Sequence, residues 1–160
     1  MTQQNTLLNT KKWFETARPE TTRKDFLAQL GVHYEEVAES LEVLDGNDLR
    51  TNGLIAVAEE ALKNLATHLK GNSSEDLLTV TSNVLFLDSL CDQIVTATGV
   101  AHTRGYDIIG AMDEVNRSNF SKFDADGNPI YNDSKKIMKG PSYSPAELTP
   151  FLTQRNSPAD

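Results

Sequence analysis

Two stretches of this chain carry apolar side chains at spacings of three and four: Phe26, Leu30, Tyr34, Val37, Leu41 and Leu44, then Leu54, Ala58, Ala61, Leu62, Leu65 and Leu69. That spacing stacks side chains on one face of an α-helix and does not suit the two-residue period of a half-buried strand. No run of alternating strands appears elsewhere. The expected fold class is therefore all-α, a bundle of four to five helices with an irregular C-terminal arm.

Local signals divide the chain further. Leu7 to Ala17 reads as a short helix carrying Leu7, Trp13 and Phe14, stopped by Pro19 after Arg18. Thr21 or Thr22 is the expected N-cap of the second helix, which should run to about Asp45-Gly46-Asn47 with its apolar stripe inward. A third helix is expected over about Leu49 to Leu69, with Gly71 to end it. Ser73 or Ser74 would cap a fourth, in which Leu77, Leu78, Val80, Val84, Leu85, Leu87, Leu90, Ile94 and Val95 wrap nearly all the way round, as in a central helix. Gly105 punctuates it, Asp107 is the expected cap of a fifth helix, and that helix should reach Val115 or beyond. From Ser118 onward the chain turns rich in Asn, Ser, Lys, Gly and Pro, with a turn at Asp126-Gly127-Asn128-Pro129 and a small hairpin around Ile130 and Tyr131. This divides the chain into a helical domain over 1–117 and an arm over 118–160 that packs on the same domain or on a partner subunit.

Size and charge narrow the partners. The 160 residues suit one domain, and 38% hydrophobic with 24% charged residues is the balance of a globular protein. A formal charge of −8 repels nucleic-acid backbones and anionic lipid, so neither is expected as a partner. One cysteine, Cys91, rules out an internal disulfide and suits a reducing compartment. With a polar N-terminus and no stretch approaching a membrane span, the expected location is cytoplasmic.

The carboxylates carry the chemistry. At about 100° per residue, Glu35, Glu39 and Glu42 fall within about 60° of each other on the second helix, Glu36 sits roughly 60° beyond, and the apolar stripe lies opposite. An acidic helical face standing alone is ordinarily a solvated one. Asp88 and Asp92, however, stand one turn apart inside Leu85-Phe86-Leu87-Asp88-Ser89-Leu90-Cys91-Asp92-Gln93-Ile94-Val95, whose neighbours belong in a core. Two such charges about 4 Å apart repel by about 4 kcal/mol at an effective dielectric of about 20. They either face a solvent cleft or cap other elements, or they meet a cation. No Lys or Arg lies between Lys70 and Arg104, so that cation is expected to be a metal ion. Oxygen donors without histidine or thiol select Mg²⁺ or Mn²⁺, and five or six carboxylates suit a site with two or three ions.

Glu35-Glu36-Val37-Ala38-Glu39 resembles the EExxE motif of the all-α nucleoside triphosphate pyrophosphohydrolases, the MazG-like and dimeric dUTPase superfamily. The family's following ExxD element is matched at Asp92 but has Ser89 in the Glu position, and Asp88, one residue earlier, either substitutes for it or supports the ligands. Ser118-Asn119-Phe120-Ser121-Lys122, Asp126-Gly127-Asn128-Pro129 and Lys139-Gly140-Pro141-Ser142-Tyr143 resemble, in the same order, the SNxSK, DGxP and KGPxY elements common in phage-encoded members. The resemblance implies Mg²⁺ or Mn²⁺ held by Glu35, Glu36, Glu39, Asp88 and Asp92, with Glu35, Glu36 and Glu39 catalytic. It further implies hydrolysis of nucleoside triphosphates between the α and β phosphates, in a homodimer or homotetramer. A purine deoxynucleotide, dGTP or dATP, is the expected substrate, for nucleotide-pool control in a host cytoplasm. Lys122 and Lys139 are expected to close over the phosphates, with Asn116, Asn119 and Arg117 as further donors.

Two rivals exist. An acidic helical decoy that binds a host factor would account for the charge, though not for aspartates within an apolar segment. A ferritin-like di-iron bundle would need Glu-x-x-His on two helices, and His33 precedes Glu36 in the reverse order. Asp124-Ala125-Asp126-Gly127 faintly resembles a calcium loop, but its twelfth position is Lys135 instead of Glu. Cys91 reads as a small core residue, His68 and His102 as structural or exposed, and Trp13, Phe14, Phe26 and Tyr34 as core aromatics.

Overall fold

In the computed structural model, residues 5–71, 76–133 and 136–152 are described. The all-α expectation is met. The helices are α1 Thr6–Ala17, α2 Arg23–Leu41, α3 Leu49–Gly71, α4 Asn83–Thr103 and α5 Ile108–Phe120, followed by a 3-10 turn at Thr149–Phe151. Among the described residues there is no β-strand; the expected hairpin is a single antiparallel bridge between Tyr131 and Ile137. The chain gathers into two compact units, one of Glu20–Thr81 and one of Met1–Pro19 with Ser82–Asp160. The expected boundary at 117/118 therefore falls inside α5, within the second of these.

In the unit of Glu20–Thr81, α2 begins with a reciprocal cap. The Thr22 hydroxyl accepts from the Asp25 N–H at 3.2 Å, and the Asp25 carboxylate accepts from the Thr22 N–H at 2.9 Å. Such a cap stabilises a helix by about 1 kcal/mol. The helix stops at Leu41, short of Asp45, and the loop is tied at Gly46, whose N–H donates to Asn52 at 2.7 Å. Asp48, immediately before α3, accepts from the Thr51 N–H at 2.9 Å.

The face that α2 buries carries Leu27, Gly31 and Ala38, against Ala66 and Leu69 of α3. That face lies about a quarter turn from the expected stripe of Phe26, Leu30, Tyr34, Val37, Leu41 and Leu44. The reason is close approach. A Cβ at Gly31 would stand 2.9 Å from the Ala66 carbonyl and 2.7 Å from Lys70 Cγ, so only glycine lets the two backbones come this near. Consequently Val37 is 40% and Leu44 53% exposed, and of the α3 stripe only Leu69 is buried, with Leu54 at 62%.

In the other unit, α1 runs alongside α5 in parallel register. Thr6 Oγ1 donates to Asp113 at 2.8 Å, Thr10 Oγ1 to Asn116 Oδ1 at 2.9 Å, and Trp13 Nε1 to the Asn119 carbonyl at 2.9 Å. Asn5 caps α1 and Asp107 caps α5, the latter as expected. Phe123 is buried with its ring parallel to Trp13, centroids 6.1 Å apart, and the Tyr131 hydroxyl donates to the Ala17 carbonyl at 2.8 Å. The C-terminal turn lies on the start of α5, where Asp107 N–H donates to the Phe151 carbonyl at 2.9 Å.

Helix α4 departs most from expectation. Its cap is Ser82, and Leu77, Leu78 and Val80 precede it in non-helical chain; the expected caps Ser73 and Ser74 lie outside the described residues. Rather than a central helix, α4 buries only Ala101, leaving Val84, Leu85, Leu87, Val95 and Val100 at least 63% exposed. Cys91, expected in the core, is exposed with it. Contrary to the sequence expectation, α4 is long and apolar enough to cross a membrane by length and composition. Each aspartate in it would cost about 2.5–3.5 kcal/mol near the centre of a bilayer, so lipid is a poor cover for this helix.

Candidate functional site

The glutamates of α2 and of its C-cap divide into two classes. Glu35 pairs with Lys70 and Glu42 with Lys63, which also meets Glu59, so these carboxylates flank the α2–α3 contact and are neutralised across it. Both acids hold Lys63 well above the usual ammonium range. Glu36 and Glu39, one turn apart, are exposed and have no cationic partner among the described residues. The quarter-turn rotation of the packed face explains the split, because it brings Glu35 and Glu42 to the edge of α3 and leaves Glu36 and Glu39 outside it.

On α4, Asp88 and Asp92 are likewise exposed and without a cationic partner among the described residues. Since the flanking apolar side chains are also exposed, the desolvation cost expected for this pair does not arise within a single chain. No group of three or more His, Cys, Asp or Glu side chains able to hold a metal is present among the described residues. The acids occur as pairs. A pair of carboxylates suits Mg²⁺ or Mn²⁺ in donor chemistry, because Mg²⁺ is usually held by one or two carboxylates with waters and substrate phosphates completing the shell.

The other expected site residues lie on α5 and the arm. Asn116 is 4% exposed and spends its amide on α1, donating to the Thr6 carbonyl at 3.0 Å and accepting from Thr10. Arg117 makes a two-pronged pair with Glu114, 2.7 Å for each bond, and donates to the Pro145 carbonyl at 2.9 Å. With the Glu147 N–H added, Arg117 pulls the Glu114 carboxyl down to about 2. Lys122 Nζ donates to Asn119 Oδ1 at 2.8 Å and lies 5.7 Å from the centre of the Trp13 ring. Lys139 Nζ lies 4.5 Å over Tyr143. Gly140 N–H donates to the Lys122 carbonyl at 3.0 Å, which joins the segments bearing the two lysines. Sequence reasoning singled out the lysines but not Lys63 or Lys70, whose roles depend on helix pairing, nor the Trp13 and Tyr143 rings beside the arm lysines.

Compared with protein-family models, with curated proteins and with solved structures, the chain matches none.

Proposed function

We propose that this chain is a MazG-like nucleoside triphosphate pyrophosphohydrolase, dependent on Mg²⁺ or Mn²⁺, that converts purine deoxynucleoside triphosphates such as dGTP or dATP to monophosphate and pyrophosphate in a cytoplasm. The observation that carries this reading is the presence of exposed carboxylate pairs with no cationic partner among the described residues, Glu36 with Glu39 and Asp88 with Asp92, where Glu35, Glu42 and Glu59 have found lysines. Acids kept one turn apart without a counter-charge repel one another, and a divalent cation relieves that repulsion.

When bound, the ions supply Lewis-acid charge for phosphoryl transfer, two or three per site. On α2, Glu36 and Glu39 would hold an ion, and Glu35 would join when Lys70 yields it; on α4, Asp88 and Asp92 would hold one. Glu39 accepts the proton of the attacking water, and the arm lysines offset the charge of the departing pyrophosphate. In this reading the active form is a homodimer or homotetramer. Support comes from α4, whose exposed Val84, Leu85, Leu87, Ile94 and Val95 form an apolar surface that a second copy would cover, at about 1.5–3 kcal/mol for each side chain fully buried.

Pyrophosphate release from each deoxynucleoside triphosphate, with and without Mn²⁺, tests the reading. Glu39→Gln is expected to lower turnover at least about a hundredfold while the helical circular dichroism stays unchanged. Wild-type protein that neither releases pyrophosphate nor gains thermal stability on adding Mn²⁺ would instead fit an acidic decoy.

A further inference from the structure

Along α5 and its two caps, Asp107, Gly110, Glu114, Arg117 and Ser121 recur at spacings of three and four, which places them on one stripe of the helix. Residues 144–151 run along that stripe in the direction opposite to α5. Ser121 Oγ accepts from the Ser144 N–H at 2.9 Å, Arg117 donates to the Pro145 carbonyl at 2.9 Å, and Glu114 accepts from the Glu147 N–H at 3.0 Å. At the far end the Asp107 N–H donates to the Phe151 carbonyl at 2.9 Å. The two registers match, because an extended chain covers about 9 Å from Ser144 to Glu147 and the helix rises about 10 Å from Glu114 to Ser121.

Each of these bonds ends on the main chain of the segment. One side chain also has a socket. A Cβ at Gly110 would stand 2.7 Å from two carbons of the Phe151 ring, so glycine leaves the space that the ring fills.

The segment is lightly held. No residue of 144–151 is buried, and its hydrogen bonds to the Ser121, Arg117 and Glu114 side chains are exposed to solvent. The base of the arm is fixed by contrast, with Phe123 buried and the Tyr131 hydroxyl on the Ala17 carbonyl. Segments with exposed hydrogen bonds and little buried apolar surface open locally while the rest of a protein stays folded. Pro145 and Pro150 restrict the free segment, so less order is lost when it settles back.

We infer that this stripe of α5 is a peptide-binding groove that reads extended main chain with an aromatic anchor, and that residues 144–151 are its releasable occupant. The ligand class is an extended peptide with proline near its start and phenylalanine six residues further on, here supplied by the chain itself. Tethering keeps so light a contact closed. Gly140, whose N–H is bonded to the Lys122 carbonyl, holds the segment's start close by, and short tethers give effective concentrations on the order of mM. The groove draws on neither the carboxylate pairs nor the arm lysines, so it stands or falls separately from the activity proposed above.

Two measurements on the full-length protein test it. In amide hydrogen exchange, protection at Ser144, Glu147 and Asp107 should be at least about tenfold lower than at Asn116 and Ser118 inside α5, since the segment opens without unfolding the helix. Equal protection overturns the release. In the second, a fluorescein-labelled peptide of residues 142–152 is titrated by fluorescence anisotropy. Wild type, whose groove is filled, should bind it weakly, and Phe151→Ala, which loosens the occupant, should bind it at least about tenfold more tightly. Against that variant, the peptide itself carrying Phe151→Ala should bind at least about tenfold more weakly. Gly110→Leu, combined with Phe151→Ala in the protein, fills the socket and should abolish binding. If that double variant fails to fold, Arg117→Met with Phe151→Ala takes its place, removing one exposed donor for a smaller loss. Binding no tighter in Phe151→Ala than in wild type, or indifferent to the phenylalanine of the peptide, overturns the groove.

Discussion

Helices α2 and α3 meet along small side chains, Gly31, Ala38 and Ala66, with charged pairs at the flank, whereas α1 meets α5 through side-chain hydrogen bonds and stacked rings. The first contact depends on how closely two backbones approach, and its ion pairs are exposed and contribute little. The second is directional. Thr6, Thr10 and Trp13 each meet one partner on α5, so the register of α1 on α5 is specified residue by residue, and the arm inherits it through Phe123 and Tyr131. Functional groups are left over differently in each. The hairpin keeps Glu36 and Glu39 because they lie outside the edge of α3; the arm keeps Lys122 and Lys139 on rings.

Removing the centre of the directional contact should have the largest effect. Trp13→Ala takes away the indole bond to Asn119 and the stack on Phe123, and is expected to cost about 3 kcal/mol, read from urea unfolding by circular dichroism. A cost below about 1 kcal/mol would show that the rings are not what holds α1 to α5. Gly31→Val should cost about 2 kcal/mol by forcing α2 and α3 apart, seen as a lower melting temperature, and a rise would mean that close approach is not the basis of the hairpin.

Lys70→Met should change stability by no more than about 0.5 kcal/mol, but by freeing Glu35 it should lower the Mn²⁺ concentration needed for half-maximal pyrophosphate release. An unchanged Mn²⁺ requirement would separate Glu35 from the ions. The smallest effect is that of pH on the arm. Glu114 has its carboxyl held at about 2 rather than 4.5 by Arg117 and the Glu147 N–H, so the tie it provides is complete above pH 4.5 and is lost as pH falls through about 2. Amide exchange at Glu147 should rise across that window, and Glu114→Gln should abolish the pH dependence.

Much of this molecule was legible in one dimension. The extents of α1 and α3, the Thr22 and Asp107 caps, and the stop before Pro19 follow from interactions within one or two turns, which the local sequence contains in full. The start of α4 was misread because Leu77, Leu78 and Val80 are apolar without being helical, and apolar content without periodicity does not fix a helix end. The candidate acids and lysines were visible as residue types. Their states were not.

By itself, then, the sequence determined the all-α class, most helix limits and the pool of carboxylates and lysines from which a site could be drawn, because helix periodicity and capping are short-range. Only the tertiary structure decided which face of α2 packs, which glutamates are neutralised by Lys63 and Lys70, that Gly140 binds the arm to the end of α5, and that α4 lies uncovered in the single chain. Those outcomes depend on contacts between residues tens of positions apart, where a single glycine at a helix crossing rotates a whole face and changes which charges meet.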